Sequence, residues 1–416
     1  MDILHKKIGI WGYGIGGKAL VSFLVTRGIK PLVFDKRVFT VDELEELRKQ
    51  AVRVCPSQEL FFSSSDVIIP SAGIAIYTYP AITSKIITEL DFFAHYFKKP
   101  TIAITGTLGK TTVTTVLAAM LARAGKRVAV GGNIGVGLGS LIEQQDSLDY
   151  AVLEVSSFQL EHCKTFTPHV AVWTTFFPNH LDRHHTTEEY FIAKAQAFKR
   201  QSGNMISIVP ADLITQLKIH AQYPHVWLPI LPEIPPEILS LITHQDGFKY
   251  NWYVVAQTLA ALGISLDVLK EPYIPELEHR VEFVRAINNV RFINDSKSTV
   301  PQATLAAVER FDATHLIVLL GGLSKGVNRE SLVSALAGKV KLVICFGAEA
   351  EQLARWCEQY AISHKKADLL AAAVKIGYTN SLAGDVVLLS PAGSSFDLFS
   401  NYQERGRIFK ELVRAL

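Results

Sequence analysis

Short apolar runs rich in Val and Ile recur along the chain, and most of them lead into small residues followed by helix-compatible sequence. Such runs are typical of the buried strands of a parallel sheet. The predicted strands lie at residues 8–11, 31–34, 67–69, 101–105, 128–130, 150–155, 170–174, 290–293, 316–320, 342–346 and 386–389. Alternation of strand and helix predicts an α/β fold built from doubly wound, mostly parallel sheets.

The pattern divides into three parts, and the length of 416 residues is enough for several domains. We predict a Rossmann-like N-terminal domain over residues 1–91. A central domain of the P-loop ATPase type, with a mostly parallel sheet, should span residues 92–276, and a second Rossmann-like domain residues 277–416. Pro229, Pro232, Pro235 and Pro236 interrupt the pattern of residues 207–248, where no element can be predicted.

Composition narrows the class of protein. Hydrophobic residues make up 49% of the chain and charged residues 19%, with a net charge of +3. The absence of a Lys/Arg run argues against nucleic-acid binding, and no apolar run approaches the roughly 20 residues of a membrane span. The four cysteines lack zinc-site spacing and suit a reducing compartment. Because the chain leads directly into a strand, we expect no secretion signal, and we predict a cytoplasmic monomer.

The stretch of residues 101–115 contains the clearest chemical signal. A predicted strand leads into Gly106, Gly109, Lys110 and Thr111, and helix-compatible sequence follows. Glycines let backbone N–H groups surround phosphates at the positive end of a helix. Lys110 would reach the β- and γ-phosphates, and the Thr111 hydroxyl would bind Mg²⁺. Although Ile104 replaces the first glycine of the Walker pattern, and an ordinary strand–turn–helix is the alternative, we interpret the stretch as a nucleoside-triphosphate site.

The first predicted strand ends in a second glycine-rich loop, G-x-G-x-x-G at residues 12–17. Asp35 follows the next strand, close to where Rossmann domains place a ribose-binding acid. One interpretation is a nicotinamide or flavin site, which would make the protein a dehydrogenase. The other is a nucleoside-diphosphate substrate, since Lys36, Arg37 and a small-residue loop at 70–74 suit a charged ligand. Both interpretations remain open at this point.

Polar residues also follow strands of the central part. Glu154 ends one strand, where α/β proteins often place metal or ligand contacts, although a surface carboxylate is the alternative. His180 begins a histidine-rich segment after the next strand. Lys194 shares a predicted helical face with Phe191 and Phe198. It could extend its amine to solvent, or it could be desolvated and thereby become a nucleophile towards CO₂.

Loops of the last part offer hydroxyls and amines that suit a carboxylate ligand. Lys297, Thr299, Lys325 and Ser395 each follow a predicted strand. Any one of them could equally be a helix cap or a surface residue.

Five segments together resemble the Mur ligases, a family that forms amide bonds with ATP during peptidoglycan precursor synthesis. They are Thr105-Gly106-Thr107-x-Gly109-Lys110-Thr111-Thr112, Gly132-Asn133-Ile134-Gly135, Glu154-x-Ser156-Ser157-Phe158-Gln159-Leu160, His180-Leu181-Asp182-Arg183 and Tyr190-x-x-Ala193-Lys194. The resemblance implies ATP and two Mg²⁺ ions. It implies ATP contacts from Gly106, Thr107, Gly109, Lys110, Thr111, Thr112, Asn251, Arg280, Asp295 and Lys297. It implies metal ligands at Thr111, Glu154, His180 and a carbamylated Lys194, with Lys110, His180 and Lys194 as the catalytic residues.

A run at residues 389–399, followed by Tyr402 and Glu404-Arg405-Gly406, resembles the family members that join D-glutamate to UDP-N-acetylmuramoyl-L-alanine. The UDP-substrate contacts that this implies are Gly14, Ile15, Asp35, Arg37, Gly73, Asn133, Ser157 and Gln159. The amino-acid contacts that it implies are Thr299, Lys325, Ser395, Phe396 and Tyr402. The sequence departs from the family pattern at Leu108, Asn179 and Val254. A ligase of the same superfamily with another acceptor, a dehydrogenase and a non-catalytic ATP-dependent switch are the alternatives.

Overall fold

The computed structural model describes residues 3–243, 245, 249–273 and 277–416, and its parallel sheets confirm the predicted α/β fold. The chain forms two compact units. The first comprises residues 1–177 and 186–275, and the second comprises residues 178–185 and 276–416. Among the described residues, no helix combines the length and apolar character needed to cross a membrane.

The N-terminal sheet has the strand order β3-β2-β1-β4, and all of its strands are parallel. Its strands are β1 (Ile8–Trp11), β2 (Leu32–Phe34), β3 (Arg53–Val54) and β4 (Val67–Pro70). Its helices are α1 (Ile15–Val25), α2 (Val41–Lys49), α3 (Gln58–Ser64) and α4 (Glu89–Tyr96). Every residue of β1 and β4 is buried, as expected for apolar runs covered on both faces. The predicted domain limit at residue 91 falls within α4 and remains a prediction, as does the limit at residue 276.

The central sheet has the order β10-β9-β8-β5-β7-β6, so the strand before the phosphate loop lies inside it. Its strands are β5 (Thr101–Thr105), β6 (Val128–Gly132), β7 (Tyr150–Glu154), β8 (Val170–Trp173), β9 (Ile206–Pro210) and β10 (Val226–Ile230). Its helices are α5 (Lys110–Arg123), α6 (Leu138–Gln144), α7 (Ser157–Leu160), α9 (Thr187–Ala195), α10 (Ile214–His220), α11 (Pro236–Ile242) and α12 (Lys249–Ala261). The helix α8 (Leu181–His184) belongs to the second unit. Pro229 lies in the edge strand β10, where a residue without an N–H can be accommodated.

The C-terminal sheet has the order β11-β12-β16-β13-β14-β15. Its strands are β11 (Glu282–Ile287), β12 (Val290–Asn294), β13 (Leu316–Gly321), β14 (Leu342–Phe346), β15 (His364–Ala367) and β16 (Val386–Leu389). Its helices are α13 (Pro301–Val308), α14 (Glu330–Leu336), α15 (Ala350–Gln359), α16 (Leu370–Thr379) and α17 (Tyr402–Arg414). The edge strand β11 is antiparallel to β12 across a two-residue turn, Asn288–Asn289, in which both residues have positive φ. The sequence pattern did not predict β11 or β15; β11 mixes charged and apolar residues, and β15 has a single apolar residue, Ala367.

Within the first unit, the N-terminal and central sheets are joined by close packing and by a buried carboxylate. A Cβ added at Gly139 of α6 would lie 2.4 Å from the carbonyl oxygen of Ala19 in α1, so glycine allows these helices to approach closely. The carboxylate of Asp91 accepts hydrogen bonds from the backbone N–H groups of residues 164, 165 and 166. These contacts fix the loop after α7 against α4.

Candidate functional site

The phosphate loop has the predicted strand–loop–helix geometry, since β5 ends at Thr105 and α5 begins at Lys110. Gly106 and Gly109 have φ values of +139° and +85°, which side chains rarely adopt. An added Cβ at Gly106 would lie 2.1 Å from the Thr174 hydroxyl oxygen. At Gly109 it would lie 2.6 Å from Oδ1 of Asn251. The backbone of the loop therefore depends on glycine at both positions.

Cationic and hydroxyl groups gather at this loop. The Lys110 amine donates to the carbonyl oxygens of Gly106 and Thr107, at 3.0 and 3.1 Å. The Thr107 hydroxyl donates to the carbonyl of Phe177 at 3.1 Å. Thr112 is buried, and its hydroxyl has no hydrogen-bond partner among the described residues. Together with the N-terminus of α5, these groups form a positively charged cradle that fits phosphate oxygens.

Three strand ends meet at the carboxylate of Glu154, which is 2% exposed. One of its oxygens accepts a hydrogen bond from the Thr111 hydroxyl at 2.6 Å, and the other accepts from the Asn133 amide at 2.7 Å. Asn133 follows β6, Glu154 ends β7, and Thr111 begins α5 after β5. The structure therefore brings a hydroxyl and a carboxylate together beside the phosphate loop.

Lys194 of α9 is 1% exposed, so it does not extend its amine to solvent. The amine donates to the Gly106 carbonyl at 2.8 Å and lies 4.6 Å from the ring centroid of Tyr190. Burial, and then the positive charge of Lys110, hold the pKa of Lys194 well below its usual value, against the opposing effect of Glu154. The desolvated alternative, an amine available as a nucleophile, is the one that the structure favours.

The residues at the phosphate loop fit a hard divalent cation. Mg²⁺ prefers oxygen ligands and usually keeps contacts with substrate phosphates rather than sitting in an all-protein cage. The Thr111 hydroxyl and the Glu154 carboxylate supply such oxygens. Within the described ranges, no group of three or more His, Cys, Asp or Glu side chains is arranged to hold a metal ion. The donor set therefore suits a cation that also binds phosphate.

A cavity of about 440 Å³ lies at the carboxyl ends of the N-terminal strands, and its lining includes Gly14, Asp35, Arg37 and Gly73. This volume is within the usual range for small-molecule sites. Asp35 accepts a hydrogen bond from the backbone N–H of Tyr13 at 2.8 Å. Ile15, the first residue of α1, is 74% exposed. We call this space the nucleotide cavity.

Glu43 is a residue of this region that sequence reasoning missed. Its carboxylate forms a two-pronged contact with the Arg37 guanidinium, at 2.7 and 2.8 Å, and Arg37 also donates to the Tyr13 carbonyl. Glu43 also forms the capping box of α2 with Thr40, which is a signal that the sequence does contain. Arg37 is therefore held in place by protein contacts at the edge of the cavity.

Ser157 and Gln159 are buried in α7, where Gln159 forms a capping box with Ser156. A small space near Gln159 is also lined by Ser71 and Glu89. Burial raises the pKa of Glu89 to about 7, against the lowering effect of a hydrogen bond from the backbone of Leu138. A Cβ added at Gly16 would lie 2.9 Å from both Glu89 carboxylate oxygens. Glu89, which sequence reasoning also missed, therefore lies directly against the first turn of α1.

In the second unit, the carboxylate of Asp295 is buried beneath the loop after β12. It accepts hydrogen bonds from the hydroxyls of Ser298 and Ser390, at 2.5 and 2.8 Å. Burial raises its pKa, and the charge of Arg280 opposes that shift. The Nε atom of Arg280 is buried and has no hydrogen-bond partner among the described residues. The structure thus places Asp295 and Arg280 close enough to interact electrostatically.

The predicted amino-acid contacts lie on neighbouring loops of the same unit. The Lys325 amine donates to the Thr299 hydroxyl at 3.1 Å, and Lys325 has a positive φ of 56°. The Lys297 amine lies 5.3 Å from the ring centroid of Tyr402. Ser395 is buried, whereas Phe396 is 70% exposed.

A buried arginine, Arg405, to which the sequence motif assigned no role, holds these loops together. The Arg405 guanidinium donates to the carbonyls of Ser296 and Gly393, and its Nε donates to the Ser296 hydroxyl. Burial lowers the pKa of Arg405 to about 9. Arg405 thus connects the loop after β12 to the loop after β16.

His180 belongs to the second unit, immediately before α8, and its φ is 56°. Its segment packs against the loop that carries Lys325, because a Cβ added at Gly326 would lie 3.3 Å from the backbone nitrogen of Asp182. Its role as a metal ligand remains a prediction.

Comparison with known proteins gives consistent matches along the chain. The family model of the Mur ligase MurD-like, N-terminal domain matches residues 6–90, that of the Mur ligase middle domain residues 104–226, and that of the Mur ligase, glutamate ligase domain residues 279–393. A UDP-N-acetylmuramoylalanine--D-glutamate ligase of Thermoanaerobacter sp. (strain X514) is 32% identical over 455 residues, covering 100% of both chains. The enzyme of the same name from Acidobacterium capsulatum is 34% identical over 458 residues, covering 100% of this chain and 97% of its own.

Solved structures show the same fold. The MurF ligase of Thermotoga maritima, solved in complex with ADP, matches with a TM-score of 0.61 and 18% identity, covering 100% of both chains. The match covers the residues of the N-terminal, central and C-terminal sheets.

Proposed function

The chain belongs to the Mur ligase family, and on that premise we propose that it joins D-glutamate to UDP-N-acetylmuramoyl-L-alanine with ATP. The reaction would be a step of peptidoglycan precursor synthesis. The observation that carries the proposal is the convergence of the phosphate loop, the Thr111–Glu154 pair and the buried Lys194. A dehydrogenase would have no function for these residues.

The chemistry has two steps. A carboxylate oxygen of the UDP-linked substrate attacks the γ-phosphorus of ATP, ADP leaves, and an acyl phosphate remains. The amine nitrogen of D-glutamate then attacks the acyl carbon, phosphate leaves, and the nitrogen gives up a proton. Lys110 and the backbone N–H groups of the phosphate loop would stabilise the negative charge on the transferring group.

Thr111, Glu154, His180 and a carbamylated Lys194 are the residues that we propose to hold Mg²⁺. When bound, Mg²⁺ supplies positive charge to the phosphate oxygens. Carbamylation joins the neutral Lys194 nitrogen to the carbon of CO₂ and releases one proton, which converts an amine into an anion. The depressed pKa of Lys194 favours this reaction because it increases the neutral fraction of the amine.

The remaining site residues are assigned by position. The nucleotide cavity, with Gly14, Asp35, Arg37 and Gly73 in its lining, would bind the UDP group. Ile15, Asn133, Ser157 and Gln159 would complete the contacts to this substrate. Asn251 of the first unit is a proposed ATP contact. The proposed ATP contacts of the second unit are Arg280, Asp295 and Lys297. The D-glutamate contacts would be Thr299, Lys325, Ser395, Phe396 and Tyr402. A cytoplasmic monomer remains our expectation.

An isotope experiment tests the mechanism. UDP-N-acetylmuramoyl-L-alanine labelled with ¹⁸O in its carboxylate is incubated with ATP, Mg²⁺ and D-glutamate, and the released phosphate is analysed by mass spectrometry. An acyl phosphate requires one ¹⁸O atom to pass to phosphate for each amide formed. Unlabelled phosphate, formed together with the amide product, would contradict the proposed mechanism.

A further inference from the structure

A second cavity, of about 450 Å³, lies in the first unit at the opposite end of β4 from the nucleotide cavity. Asp66 and Val67, at the start of β4, contribute to its lining, whereas the nucleotide cavity is lined by Ser71, just beyond the end of this strand. The 84–87 segment, α4 and residues 164–165 form its other walls. We call it the α4 cavity. None of its lining residues belongs to the site proposed above.

The inner surface of the α4 cavity is largely apolar. Ile3, Val67, Ile86 and Phe92 line it, and each of these side chains is buried in the protein. The cavity is as large as the nucleotide cavity and falls within the range of small-molecule sites. It can therefore accept an apolar group of several carbon atoms.

The rim of the α4 cavity is cationic. Lys6, Lys98 and Lys164 are exposed lysines of the lining. Lys85 is half-buried there, and its amine donates to the carbonyls of Phe62 and Ser65. Among the described residues, no side-chain hydrogen bond or ion pair engages the amines of Lys6 and Lys164. The Lys98 amine donates to the carbonyl of His95, which leaves two of its three protons for other acceptors.

The acidic residues of the lining offset this charge only in part. The Asp91 oxygens already accept the backbone N–H groups of residues 164, 165 and 166, and the Thr165 hydroxyl. Asp66 accepts the backbone N–H of Lys7 at 3.0 Å. Four lysines therefore face two carboxylates that are both engaged by the backbone, and the site favours an anion.

We propose that the α4 cavity binds a small amphipathic organic anion. The apolar body would pack on Ile86 and Phe92, and a carboxylate, sulfonate or phosphate group would pair with Lys98 and Lys164. Hydrogen bonds between ammonium groups and such anions are among the stronger polar contacts in proteins. Lys164 follows α7 of the central part, whereas the other walls of the cavity come from the N-terminal part and α4. The ligand would therefore contact both parts, next to the hydrogen bonds that Asp91 of α4 accepts from the loop after α7.

The test uses the full chain and 1-anilinonaphthalene-8-sulfonate, an aromatic sulfonate whose fluorescence increases in apolar surroundings. Binding is titrated with saturating UDP present, so that the nucleotide cavity is occupied. The first variant is Lys98→Glu/Lys164→Glu, which reverses two exposed charges of the rim. The second is Ala94→Trp, which places a large side chain at a residue of the lining. The control is Lys30→Glu/Lys49→Glu, which makes the same change in net charge at exposed residues outside the lining.

We expect saturable binding that UDP does not displace. Affinity should fall at least about tenfold in the rim variant, because two charge-assisted contacts are lost, and should stay within about twofold in the control. Ligand bound only to the folded state should also raise the midpoint of thermal unfolding in the wild type and in the control, and should raise it less in the rim variant at the same ligand concentration. Displacement by UDP, or equal affinity in the rim variant and the control, would overturn the proposal. If Ala94→Trp fails to fold, the rim variant and its control decide the question alone.

Discussion

Replacing Lys194 with Met separates the chemical task of this residue from its part in stability. The change keeps an unbranched apolar stem in a side chain that is 1% exposed, and it removes the amine that donates to the Gly106 carbonyl. Losing that hydrogen bond costs about 1 kcal/mol. The loss is opposed by removing a desolvated amine that is repelled by Lys110. We therefore expect the free energy of unfolding to change by no more than about 2 kcal/mol.

The same change should nearly abolish catalysis. An amine with the ordinary lysine pKa of 10.5 would be only about 0.1% neutral at pH 7.5, and each unit of lowering increases that fraction tenfold. In the proposed mechanism, burial thus prepares Lys194 for carbamylation, which methionine cannot undergo. Loss of an anion that supports phosphoryl transfer should reduce kcat at least about 10³-fold, or about 4 kcal/mol of transition-state stabilisation.

Two assays check these expectations. Urea unfolding compares the stability of the wild type with that of Lys194→Met. Phosphate release from ATP is then measured in buffer depleted of CO₂ and again after bicarbonate is added. Wild-type activity should be low in depleted buffer and should recover with bicarbonate, whereas the variant should stay inactive in both. Near-normal turnover of a folded Lys194→Met variant would refute the role of this lysine.

Three further predictions concern other parts of the chain. Because burial raises the pKa of Glu89 from 4.5 to about 7, the folded state binds more protons there than the unfolded state does, and stability falls as pH rises through that window. The decrease in the free energy of unfolding between pH 4.5 and pH 8, measured by urea unfolding, should be smaller in Glu89→Gln than in the wild type by roughly 2 kcal/mol. The same decrease in both proteins would contradict this prediction. Arg405→Lys should lower the free energy of unfolding by roughly 2–4 kcal/mol, because lysine cannot reproduce the contacts to Ser296 and Gly393. The KM values for D-glutamate and for ATP should both rise, since the two loops that Arg405 joins carry proposed contacts to each. Unchanged KM values in the folded variant would argue against a positioning role. Gly139→Ala should destabilise the protein by roughly 1–3 kcal/mol, since its Cβ would lie 2.4 Å from a carbonyl oxygen of α1. A thermal midpoint equal to that of the wild type would show instead that α1 and α6 adjust freely.

The parts of the fold that the sequence predicted are those set by local pattern. Apolar runs at β1, β5, β13 and β16 become buried strands because parallel strands are covered on both faces. The glycines of the phosphate loop were informative because the loop adopts φ values that favour glycine. The edge strand β15 was missed, since its sequence, His-Lys-Lys-Ala, has almost no apolar character.

The sequence indicated neither the role of Arg405, which it showed only as part of a motif, nor that of Glu89, because both residues act through partners distant in the chain. Arg405 bonds to Ser296 and Gly393, and Glu89 lies against Gly16 of another helix. Nothing in the residues next to Arg405 or Glu89 indicates these partners, since the contacts exist only after the sheets and helices have packed. The environment of Lys194 could not be predicted from the sequence either. Its spacing from Phe191 and Phe198 allowed a solvated or a buried amine, and only the folded chain shows that the side chain is buried.

The most direct test of the central claim is phosphate release from ATP and Mg²⁺ with UDP-N-acetylmuramoyl-L-alanine, with and without D-glutamate. Bicarbonate is included, and L-glutamate, L-alanine and L-lysine serve as control acceptors. The proposed reaction predicts release that requires both the UDP-linked substrate and D-glutamate, with one amide formed for each phosphate released. Release with a different amino acid in place of D-glutamate would contradict the proposed acceptor, and no release with any of them would contradict the proposed reaction.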